Sequence, residues 1–125
     1  MFGLRPRFEW LWLLALAAVS CTRSADVDAH YRVRGQVESV NGSGQDTRAA
    51  IRHERIEAFK DRDGKPSPME SMSMNFSLAP NVDAKALEPG AKVDIEFDVR
   101  WSSGSPLVIT RVETLAADTA LSLAP

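Results

Sequence analysis

The chain has little that would cross-link it or do chemistry on a substrate. One cysteine among 125 residues rules out an internal disulfide, so a core alone must hold the fold. There is no GxGxxG, no P-loop and no cysteine-based zinc pattern. Serines are plentiful, but none sits in a nucleophile elbow. The acidic residues fall on the outward positions of alternating segments, where they are solvated rather than paired for acid–base work. An excess of positive charge is also missing. The formal charge is −2, and the first twenty residues carry Arg5, Arg7 and Glu9, so removing them takes away a net +1 and leaves −3. A mildly acidic domain lacks the basic footprint of a nucleic-acid binder. The expectation is a binding protein and not an enzyme.

The scarce residues are also unevenly placed. Of four methionines, Met1 is the initiator and the other three are Met69, Met72 and Met74. Met72, Met74, Phe76 and Leu78 alternate with Ser73, Asn75 and Ser77, the pattern of a half-buried strand. Side chains two apart on a strand point the same way, so Met72 and Met74 present their thioethers side by side, with Met69 just before the strand end. Thioethers are soft, uncharged ligands that suit Cu(I), and by the same logic Ag(I). The alternative is that the methionines are gap-filling core. Against it, this chain builds its other core strand from Val93, Ile95, Phe97 and Val99. There are two histidines. His53 lies upstream on a candidate strand. His30 lies near Asp26 and Asp28, and reads as part of an acidic tether more readily than as a Cu(II) chelate.

Residues 1–20 read as a signal peptide: Arg5 and Arg7, then the short apolar run Trp10 to Val19, too short to span a bilayer. Ala18-Val19-Ser20-Cys21 resembles a lipobox, in which Cys21 is lipidated and becomes the new N-terminus; the alternative is an ordinary signal peptide with a trimmed thiol. Lipidation would anchor the protein to a membrane on the periplasmic side of a bacterial envelope. Residues 21–30 form a tether, 31–115 one domain and 116–125 a loose C-terminal tail.

Within the domain the spacing predicts five strands: Tyr31 to Val40, Arg48 to Ile56, the methionine strand to Leu78, Lys92 to Trp101 and Leu107 to Leu115. Gly35 suggests a bend or bulge in the first strand. Glu57 to Pro68 reads as a charged loop. A short helical turn between the third and fourth strands is capped by Asp83 and stopped by Pro89-Gly90. That order is the one expected of an all-β, five-stranded OB-type Greek-key barrel.

The chain resembles the CusF-type periplasmic copper- and silver-binding domains. The resemblance rests on Gly35-Gln36-Val37-Glu38-Ser39-Val40, His53-Glu54-Arg55-Ile56, Met69-x-x-Met72-x-Met74-x-Phe76 and Leu87 to Val93, and covers roughly Tyr31 to Leu115. It implies a small OB barrel in which His53, Met72 and Met74 ligate Cu(I) or Ag(I). The CusF type carries a tryptophan cap where this chain has Met69, so Met69 is expected as a fourth ligand or a sulfur cap. The segment between the histidine and the methionines is longer than in the family, by an insertion near Lys60 to Ser67. The resemblance further implies a metallochaperone that hands copper to an efflux system or to a copper-enzyme assembly route. A different class stays open at this point: a non-metal OB-fold lipoprotein that binds a protein or glycan, with the methionines as core.

Overall fold

A computed structural model describes residues 27–124. The signal segment, Cys21 and most of the tether lie outside the described residues. The five strands are β1 (Ala29–Asn41), β2 (Arg48–His53), β3 (Met72–Leu78), β4 (Lys92–Val99) and β5 (Leu107–Thr114). They close into a barrel in the order β1-β2-β3-β5-β4. Every pair is antiparallel except β3 with β5, which run parallel through Ser77↔Val108 and Leu78↔Ile109. Closure removes the exposed edges that an open sheet of this size would carry. The protein is thus a small OB-type barrel, as expected.

Alternation sets the core. Val93, Ile95, Phe97 and Val99 of β4 are fully buried, as are Ile51 and Ala49 of β2, Phe76 of β3 and Ile109 of β5. Phe76 and Phe97 meet edge to face at 5.1 Å in the middle of the barrel. The helical turn is a single 3-10 turn at Ala84–Ala86, and the Asp83 carboxylate accepts from the Lys85 N–H as its cap.

Four details depart from the sequence reading. The strand irregularity lies between Val37 and Ser39, not at Gly35. The second strand stops at His53, and Ile56 instead forms an isolated bridge with Met69. The charged loop is not all surface: Phe59 is buried, with Tyr31 at 5.0 Å and Trp101 at 6.3 Å, and Arg62 lies over the Trp101 ring. That loop is a pinned hairpin, with Lys60 bridged to Pro66 and the Asp61 carboxylate accepting from the Asp63 and Lys65 amides. Finally, the C-terminal segment is not loose. It lies along the barrel wall, held by hydrogen bonds from Lys92, Arg52 and Ser71 to its carbonyls and from its own Ser122 amide to Glu54.

Candidate metal centre

The register of β2 with β3 assembles the site. His53 pairs with Met72, and Ile51 pairs with Met74. Residues directly opposite share a face, and residues two apart on a strand share it too, so His53, Met72 and Met74 all face the barrel interior at the end where β2 stops and β3 starts. Exposure rises across them: His53 is fully buried, Met74 half-buried and Met72 45% exposed. Met69 is half-buried against the core and is fixed by reciprocal backbone hydrogen bonds with Ile56, at 2.8 and 3.0 Å.

His53 is tightly oriented. Its Nδ1 lies 2.6 Å from the Glu54 carbonyl oxygen. A carbonyl only accepts, so Nδ1 carries the proton and donates it. In the neutral ring Nε2 then bears the lone pair, and it points at the Met74 sulfur 3.1 Å away. Burial pushes the His53 pKa below its ordinary value, with the nearby Arg52 charge adding to the effect and the Glu54 carbonyl opposing it. The imidazole is therefore neutral near pH 7. A buried lone pair and a soft sulfur facing one another suit a soft cation held by both. Among the described residues, no group of three or more His, Cys, Asp and Glu side chains could hold a metal, so a metal here would depend on the thioethers.

Gly35 completes the wall behind the histidine, a role its sequence context did not signal. It stands opposite His53 in the β1–β2 register. A Cβ there would lie 2.7 Å from the Arg52 carbonyl oxygen, 2.8 Å from Ile51 Cγ2 and 3.1 Å from His53 Cα. Only glycine lets β1 approach this closely. Around the rim, Arg55 pairs with Glu57 and Glu70, tying the exit of β2 to the approach to β3.

His30 is not in a tether. It belongs to β1, and its ring nitrogens lie 2.7 Å from Asp98 and 3.0 Å from Glu96. Those hydrogen bonds, Asp98 first, raise its pKa above the ordinary value. Asp28, its expected neighbour, instead accepts from the Trp101 amide, and Asp26 lies outside the described residues. Trp101 packs on Phe59, within the aromatic group formed with Tyr31.

Fold and site together define a class: a small closed β-barrel with the His53 imidazole against the Met74 thioether at the end where β2 stops and β3 starts. The chain belongs to the CusF family, since the family model described as copper binding periplasmic protein CusF matches residues 30–114. That family is one of copper-binding periplasmic proteins. No curated protein and no solved structure matches the chain.

Proposed function

We propose that the protein is a cell-envelope carrier of monovalent soft metal, taking Cu(I), and by the same chemistry Ag(I), through His53, Met72 and Met74, with Met69 as a fourth ligand or sulfur cap. The observation that carries this reading is the buried His53 Nε2 aimed at the Met74 sulfur at 3.1 Å. All four donors are neutral, so they add no negative charge that would favour a divalent ion. Thioethers also suit an oxidising compartment, where thiolates would be lost to disulfides. The protein acts by binding and release, not catalysis: the site holds donors and no nucleophile with an adjacent base. Cys21 is lipidated and anchors the domain at the periplasmic side of a membrane. The metal is passed to an efflux system or to a copper-enzyme assembly route.

The test is anaerobic titration with Cu(I) against a chromophoric chelator, for the wild type and for a His53→Ala, Met72→Leu, Met74→Leu variant. The expected result is one equivalent bound by the wild type, none by the variant, and no displacement by Zn(II). If the two proteins compete equally, the methionines are core packing and the reading is wrong.

A further inference from the structure

The segment after β5 is bound to the immediate neighbours of the proposed ligands. The Leu115 amide donates to the Lys92 carbonyl, and Lys92 Nζ donates to the Thr119 carbonyl at 2.6 Å. The chain then reaches β2 and the entry to β3. The Ser122 amide donates to a Glu54 carboxylate oxygen at 2.8 Å. The Leu123 carbonyl oxygen accepts from both Arg52 Nε at 3.0 Å and Ser71 Oγ at 2.8 Å. Leu115, Leu121 and Leu123 are each half-buried.

These contacts follow the strand register. Val93, Gly35, His53 and Met72 form one layer across β4, β1, β2 and β3. Lys92, Arg52, Glu54 and Ser71 are the immediate sequence neighbours of Val93, His53 and Met72 in that layer. Neighbours along a strand point to the opposite face, so the segment crosses the outside of the wall whose inside carries the donors. Arg52 and Ser71 share one carbonyl oxygen, and that single atom bridges the strand bearing His53 to the residue preceding Met72. Ser71 is only 4% exposed beneath it. Glu54 is held twice, by a two-pronged pairing with Arg34 at 2.9 Å and by the Ser122 amide, and its carbonyl is the atom that orients His53.

We propose that residues 115–124 form a positioning strap for the metal centre, which holds the end of β2 against the start of β3 and so sets the separation of His53 from the Met72 thioether. The strap touches no donor atom and acts through Arg52, Glu54 and Ser71. This rests on the metal-binding reading above, and its test separates the two.

Two variants are compared with the full-length wild type. Ser71→Ala removes one bond to Leu123 and leaves the whole chain in place; the second ends at Leu115. Two quantities are read: amide exchange of the metal-free protein over residues 50–56 and 69–74, and Cu(I) affinity by chelator competition. One hydrogen bond corresponds to about a three- to tenfold change in an equilibrium, so Ser71→Ala is expected to weaken Cu(I) binding about threefold and the shortened chain about tenfold or more. Exchange is expected to rise over those two stretches and stay unchanged over 93–99. Unchanged exchange in both variants overturns the strap. Raised exchange with unaltered Cu(I) affinity also overturns it, because the segment then braces the fold without positioning the ligands. Should the shortened chain not fold, Ser71→Ala decides by the same two readings. If the wild type binds no Cu(I), the metal reading itself fails, and the strap's role toward it fails with it.

Discussion

Gly35→Ala probes the site from behind without touching a donor. Gly35 is not among the glycines with positive φ, so alanine brings no backbone strain there. Fewer unfolded conformations would by themselves favour the variant by about 0.4–1 kcal/mol. Opposing this, the new methyl meets the Arg52 carbonyl oxygen at 2.7 Å and Ile51 Cγ2 at 2.8 Å. The first is backbone and the second belongs to a fully buried side chain, so neither rotates away, and overpacking of this kind costs about 1–3 kcal/mol. The net expectation is a loss of about 1–2 kcal/mol, or roughly 5–15 °C in Tm for a domain of this size. Separation of β1 from β2 also moves the His53 backbone, and displacement of a ligand's support weakens metal affinity by about 10–100-fold. Gly104→Ala is the control, because nothing beyond its own chain neighbours lies within 4 Å of its Cβ position and its φ is not in the left-handed region. Thermal unfolding and Cu(I) competition measure the two effects. If Gly35→Ala melts and binds as Gly104→Ala does, the tight approach of β1 to His53 is not what shapes the site.

Met72→Leu conserves volume at a position 45% exposed, so its stability cost is expected below about 1.5 kcal/mol, while Cu(I) affinity falls at least as far as the roughly 10–100-fold that losing an outer support costs; denaturant unfolding beside metal competition checks both halves. Phe59→Ala empties a site between Tyr31 and Trp101 and is expected to cost about 3 kcal/mol by urea unfolding; a loss under about 1 kcal/mol would mean the loop contributes no core. The two histidines pull metal-free stability in opposite directions with pH. His53 has a lowered folded pKa, so its contribution is complete above its unfolded value near 6.5 and is lost as pH falls below it. His30 has a raised folded pKa, so its contribution is complete below about 6.5 and is lost as pH rises through the raised value. Chemical unfolding from about pH 5 to 8.5 is expected to show His30→Gln at its greatest disadvantage at the acid end, and a uniform deficit would refute the assignment.

Local alternation is the part of this fold that is legible in the sequence. β4 is plain because each inward position is large and apolar and each outward one charged. The methionine strand is plain because Met72, Met74, Phe76 and Leu78 alternate with the small polar Ser73, Asn75 and Ser77. The end of β2 is not, because Ile56 continues the apolar spacing while its partner has changed from β3 to Met69, and pairing partners are not written in periodicity. Phe59 is hidden inside a charged loop whose composition says surface; one aromatic residue there fills the space beside Tyr31. The docked C-terminal segment leaves no trace, since most of its bonds use its own backbone, at Thr119, Ser122 and Leu123, and backbone atoms are the same in every sequence. Gly35 is conspicuous in the sequence, yet the bulge expected there is a close approach instead. A glycine in a strand marks either one, and only the register with His53 distinguishes them.

The electrostatics of the site bear on which ion it can take. His53 is neutral and fully enclosed, and the thioethers carry no charge. The nearest carboxylates on the chain are committed elsewhere: Glu54 to Arg34 and the Ser122 amide, Glu70 to Arg55. On the proposed reading, an ion held by these four side chains would keep its whole charge in a partly desolvated place. The Born cost of that grows with the square of the charge, so a divalent ion faces about four times the penalty of a monovalent one. For the proposed site, soft-donor preference and desolvation would thus act in the same direction, toward Cu(I) and Ag(I) and away from Zn(II). The gradient of exposure adds a direction of approach. With His53 sealed and Met74 half-buried, Met72 is the proposed donor that solvent or another protein reaches first. Exchange of metal would begin and end at that thioether, while His53, already fixed by folding, adds affinity without an ordering cost at the moment of binding.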